Sequence, residues 1–149
     1  MKRFGTIVSL SLLMTSSIFG QDKLGTSPDG TVGARCLLGY LMEMQAAREL
    51  CVIGSKEQND AIDQAVVATS KRLVELGFED FSEEEIDKYR DQAKRSMKQS
   101  VPGFGSVAAF CSNIEMVQSA FSADGLRDYM DAIETSKPDL ISVKSCGQM

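Results

Sequence analysis

Four cysteines, Cys36, Cys51, Cys111 and Cys146, constrain this 149-residue chain more than any other feature. Their intervals of 15, 60 and 35 residues fit neither a redox CxxC pair nor the clustered ligands of a metal site. The chain has no histidine, so a four-thiolate zinc site is the one simple cysteine-rich metal option, and this spacing does not favour it. We therefore expect no metal and no cofactor. An even number of cysteines points to two disulfides, provided that the chain reaches an oxidising compartment.

The first twenty residues supply that route. Lys2 and Arg3 give a basic start, residues 6–14 are predominantly apolar, and small residues lead to Gly20 ahead of Gln21 and Asp22. This is the pattern of an export signal, with cleavage expected after Gly20 and Ser17 as a competing site. The apolar run is too short to span a bilayer comfortably, and no later stretch is long enough to try. The expected organisation is a signal peptide at 1–20, a flexible leader at 21–31 and a single helical domain at 32–149. The expected location is the periplasm or the external medium.

Losing Lys2 and Arg3 leaves 14 basic against 21 acidic side chains, a formal net charge of −7. That balance removes the electrostatic drive toward nucleic acid or anionic lipid. Solubility accounts for it, and a basic protein partner is compatible with it.

Helical periodicity dominates the rest. A first helix is expected over 32–53, with Leu37, Leu38, Leu41, Met44 and Ala47 on one flank and Leu50 and Val52 extending burial. Glu43, Gln45, Arg48 and Glu49 fall mostly opposite, and Gly54 is placed to cap the end. Gly39 inside this run weakens the helix and is read as a point of close approach by a neighbour, with ligand contact as the alternative. A second helix over 56–76 carries Ile62, Ala65, Val66, Thr69 and Leu73, closed by Gly77.

Ser82 and Glu85 have the spacing of a capping box, and Phe81 and Ile86 that of a hydrophobic staple. The third helix then runs to the break at Val101-Pro102-Gly103, with Ile86, Tyr89, Ala93 and Met97 as its stripe. Ser106 starts a fourth helix, Ser122 to Gly125 interrupt it, and Leu126, Tyr129, Met130 and Ile133 mark a fifth. Strand-like alternation is confined to 139–143, inside an otherwise irregular tail. The fold class is all-α: a small disulfide-stabilised bundle of about five helices.

One continuous helix holding both Cys36 and Cys51 would separate them by about 22 Å, beyond the ~7 Å reach of a disulfide. The preferred pairing is nested, Cys51 with Cys111 and Cys36 with Cys146. Cys36–Cys111 with Cys51–Cys146 is the alternative.

Without histidine there is no Ser-His or Cys-His arrangement. Glu83, Glu84, Glu85, Asp87 and Asp91 are explained by solvation and the helix dipole, and Glu43 and Glu49 are nonspecific as acids. Asp124, Asp128 and Asp131 lack an EF-hand register, and the loop 100–105 lacks the lysine of a Walker motif. Phe104, between Gly103 and Gly105, is the candidate interaction residue, either inserted into a partner or folded over the bundle. Met42, Met44, Met97, Met116 and Met130 offer either a deformable apolar surface or ordinary core. The leading expectation is a non-enzymatic interaction factor: an adaptor, a chaperone-like factor, an inhibitor or an immunity protein. A helical carrier of a small apolar ligand comes second, and a carboxylate-dependent hydrolase third.

Overall fold

A computed structural model describes residues 23–146. The expected signal peptide lies outside the described residues, as do 147–149. The described residues form five α-helices, three 3-10 turns and one short parallel strand pair. In chain order these are β1 (Val32–Gly33), α1 (Ala34–Ala47), α2 (Lys56–Glu75), α3 (Glu83–Ser100), α4 (Val107–Gln118), α5 (Ala123–Thr135) and β2 (Ile141–Ser142). The 3-10 turns are Glu79–Phe81, Val101–Phe104 and Pro138–Leu140.

α1 is the centre of the bundle. Leu37, Leu38, Tyr40, Leu41, Met44, Ala46 and Ala47 are all buried, so this helix is apolar on more than one flank. A helix of that kind needs neighbours on several sides, and α2, α3 and α4 provide them. α2 buries Ala61, Ile62, Ala65, Val66, Thr69 and Leu73 at three- and four-residue steps, against α1 and α5. Across the second of those seams the Thr69 and Tyr129 hydroxyls hydrogen-bond at 2.9 Å, both buried. α3 is the outlier, because only Ile86 and Met97 on it are fully buried.

Both disulfides take the nested pairing. Cys36 joins Cys146 with Cα atoms 4.7 Å apart, and Cys51 joins Cys111 at 5.4 Å. The first staples the start of α1 to the tail, where β1 and β2 pair Val32 with Ile141 and Gly33 with Ser142. Within the alternating stretch 139–143 only Ile141 and Ser142 form strand, while Asp139 and Leu140 belong to the preceding 3-10 turn. Residues 23–31 lie beside the strand pair, with the Ser27 amide donating to Thr31 O at 2.8 Å and the Thr31 amide to Asp29 Oδ1 at 3.0 Å. Leu24 packs on the core.

The first helix is shorter than its apolar content implies. It stops at Ala47, and after a turn the chain runs extended through Cys51, Val52 and Ile53. Their exposures of 4, 107 and 7% show the period of two that extended chain imposes. Val52, expected to bury, points straight into solvent. Gly54 is accordingly not a helix cap but a left-handed turn at φ +72°, leading to Ser55, which caps α2 by accepting from the Gln58 amide.

Two other local expectations fail. Ser82 occupies the N-cap of α3 but makes no side-chain cap bond, and the Glu85 carboxylate, which would return the second bond of the box, pairs with Lys88 at 2.6 Å instead. Gly125 does not interrupt anything. It sits in the first turn of α5, where its amide donates to the N-cap Ser122 Oγ at 3.0 Å. Gly77 does close α2 as expected, at φ +92°, with the Phe78 amide on Leu73 O and the Gly77 amide on Val74 O.

A buried polar knot secures the Cys51–Cys111 end. Gln118 Nε2 donates to Gln58 Oε1 at 3.2 Å and Asn59 Oδ1 at 3.1 Å. Gln58 Nε2 returns bonds to the carbonyls of Gln118 and Phe121 at 2.9 and 2.7 Å. A Cβ on Gly54 would stand 2.2 Å from Gln118 Nε2. Gly54→Ala should therefore cost roughly 2 kcal/mol or more in chemical denaturation, from strain at positive φ plus the clash. Replacing Cys51 and Cys111 together by alanine should lower stability by about 3–4 kcal/mol, read the same way, because the link closes a loop of 60 residues.

Candidate functional site

α1 and α3 run side by side in the same direction. Gln45 accepts from Arg90 Nε at 3.0 Å, and one turn further Glu49 meets Lys94 at 2.7 Å. On the other flank of this seam the two helices do not close. A groove of about 380 Å³ opens there, floored by Gly39, Met42 and Glu43 of α1. Tyr89, Gln92, Ala93, Ser96, Met97 and Ser100 of α3 form one wall, and Phe104, Phe110, Asn113 and Ile114 form the other. A smaller depression of about 290 Å³ continues from Gly39, Met42 and Tyr89 toward Arg35, Phe78, Asp80 and Val143.

The groove exists because both helices are small where they would otherwise meet. α3 presents Ala93, Ser96 and Ser100 where a fully packed bundle would place large apolar residues. On α1, a Cβ added to Gly39 would meet nothing within 4 Å. That observation corrects the reading of Gly39 as a close-approach site: no neighbour comes near it. Its missing side chain deepens the groove instead.

Glu43 is the one charged residue lining the larger part. The helical register places it away from the main apolar flank, yet it faces this groove. The residue is exposed to solvent. The surrounding walls nevertheless displace enough solvent to push its carboxyl up to about 7. Among the described residues it has no hydrogen-bond or ion-pair partner. The Tyr40 phenol one turn back is raised too, by burial first and by the Glu43 charge second.

Phe104 packs edge-to-face on Phe110, with ring centroids 5.3 Å apart and planes at 81°. It is half-buried at the groove's end and forms part of its wall, so its ring lies over the bundle. The methionines do not make one surface. Met44 and Met97 are buried, Met116 is exposed, and only Met42 and Met97 share the groove.

The other sequence candidates stay apart. Glu84 and Glu85 pair with Lys88, Asp87 with Arg90, and Asp124 with Arg127, all at helix surfaces. Among the described residues, no group of three or more Cys, Asp or Glu side chains is placed to hold a metal ion. No described helix is long and apolar enough to cross a membrane. Compared with protein-family models, curated protein sequences and solved structures, the chain matches none of them.

Two substitutions test this geometry. Gly39→Ala should raise stability by about 0.5–1 kcal/mol in urea titration, the ordinary helix-propensity gain, since nothing obstructs the methyl. A loss of stability would mean that a neighbour does sit on Gly39. For Glu43 the sign follows from its raised value. The folded state holds that proton more tightly than the unfolded chain, so stability from this group falls as pH rises from about 4.5 toward 7. Glu43→Gln should therefore raise the thermal midpoint at pH 8 and leave it nearly unchanged at pH 4.

Proposed function

We propose that this chain is an exported, non-enzymatic interaction protein that binds a partner protein through the α1–α3 groove. Export follows from the amino-terminal pattern, with the mature protein beginning at Gln21 in the periplasm or the external medium. Two disulfides agree with an oxidising destination. Such a protein acts as an adaptor, a chaperone-like factor, an inhibitor or an immunity protein.

The observation that carries this reading is the open apolar groove above Gly39. Its floor comes from the most buried helix, which gives the partner a firm base, and its methionines can re-form around an incoming side chain. The acidic surface fits a partner of opposite sign. The hydrolase alternative needs two converging acids, and Glu43 is the groove's single carboxylate.

The carrier reading has one observation on its side, the groove's volume of about 380 Å³, which lies within the range of small-ligand sites. The groove is open along its side, however, so an apolar cargo would keep part of its surface in water. A protein partner would cover that side itself.

Affinity capture from an exported fraction should retain the same identified partner with wild type and with a Val52→Ser control, and lose it with Gly39→Leu. Both variants must show the near-ultraviolet circular dichroism of the wild type. Retention by Gly39→Leu would place the contact elsewhere. Reproducible substrate turnover without a partner would reverse the assignment. Intact mass of the exported protein should begin at Gln21 and show no free thiol.

A further inference from the structure

Glu49, in the turn that follows α1, is held by Lys94 at 2.7 Å and approached by Lys98 at 3.9 Å. Asp87 on α3 is paired with Arg90 at 2.5 Å. Among the described residues Glu43 has no ion-pair partner, and it is the one charged side chain lining this groove, between Met42 and the wall that carries Met97. The remaining polar residues of the larger groove, Gln92, Ser96, Ser100 and Asn113, are neutral. From Glu43 the floor runs along α1 to Arg35, a distance of about 12 Å at 1.5 Å per residue. That is room for a short segment of chain, and its open side leaves a path for the backbone to enter and leave.

Resting on the interaction reading above, we propose that the groove takes an apolar segment of the partner protein bearing one basic side chain, whose cationic head pairs with Glu43. The alkyl stem of that side chain lies along Met42 and Met97, and its apolar neighbours cover Phe104 and the open space above Gly39. Recognition is by complementary charge inside an apolar surround, where an ion pair is worth more than on an open surface.

The groups facing Glu43 decide its pH dependence. Tyr40 precedes it on α1, Tyr89 faces the groove from α3, and the α4 wall contributes neutral Asn113. Arg35 and Asp80 lie in the smaller continuation. Burial and the Glu43 charge move the Tyr40 phenol further up, away from neutrality, so the carboxyl of Glu43 sets the response between pH 5.5 and 8. A cation binds its ionised form, and affinity therefore rises with pH through about 7.

The test uses three labelled synthetic peptides, each a run of leucine and alanine with a central lysine, norleucine or glutamate, in fluorescence anisotropy at 150 mM salt. The lysine peptide should bind wild type at least tenfold more tightly than either analogue at pH 8. It should lose roughly that factor at pH 5.5, in Glu43→Gln at pH 8, and in Gly39→Leu. Equal binding of all three peptides, abolished by Gly39→Leu, would overturn the basic-residue inference and leave the groove intact as a docking site. Lysine-peptide binding that survives both substitutions is attraction to the acidic surface and overturns the proposal. Failure of every peptide to bind at millimolar concentration overturns it together with the docking reading.

Discussion

The covalent capture of both ends of α1 is the constraint on which this fold depends. Cys36 lies in its first turn and Cys51 four residues beyond its last, and each is tied to a distant part of the chain, 110 and 60 residues away. A bundle of this size has limited apolar surface to bury. Fixing the central helix at both ends leaves the peripheral helices only the task of covering its sides. α2 does so thoroughly and is itself backed by α5, with the buried Thr69–Tyr129 hydrogen bond between them. α3 buries only Ile86 and Met97 and leaves one flank of its seam with α1 open.

The groove is a consequence of that division of labour. With Ile86 and Met97 as its only fully buried residues, α3 is attached to α1 largely through polar ties, Arg90 to Gln45 and Lys94 to Glu49. These ties sit on one flank of the seam. The other flank has small residues on both sides and stays open, which leaves a deep surface on a firm floor. Glu43 is raised in that surface because the same walls that exclude water supply no cation.

Much of this was legible in the sequence. Five helices, the start at Ser106, the stop at Gly77 and the nested disulfides all follow from periodicity, caps and reach. The end of α1 was misread because Leu50, Val52 and Ile53 continue the apolar content. The alternation of Cys51, Val52 and Ile53, two of them β-branched, was the signal for extended chain. At Ser82 the spacing of a capping box is present but neither bond forms: the hydroxyl makes no cap bond, and the Glu85 carboxylate pairs with Lys88, a competition that spacing rules do not weigh.

The groove was harder to read. Gly39 in an apolar helix has two opposite explanations, a close neighbour or an absent one, and sequence alone does not separate them. The small residues Ala93, Ser96 and Ser100 pointed toward the second, but only once α3 is known to lie beside α1 rather than α2. Glu43 carried no signal of its own, since a single glutamate on a helix is ordinary until its surroundings are known.

A crystal of the oxidised protein soaked in isopropanol would address the central claim most directly, because a small amphipathic solvent seeks out apolar surface that is accessible and unfilled. The account predicts an ordered alcohol above Gly39, with its apolar end between Met42 and Met97. A closed α1–α3 seam, with α3 side chains covering Gly39 and no alcohol present, would contradict it.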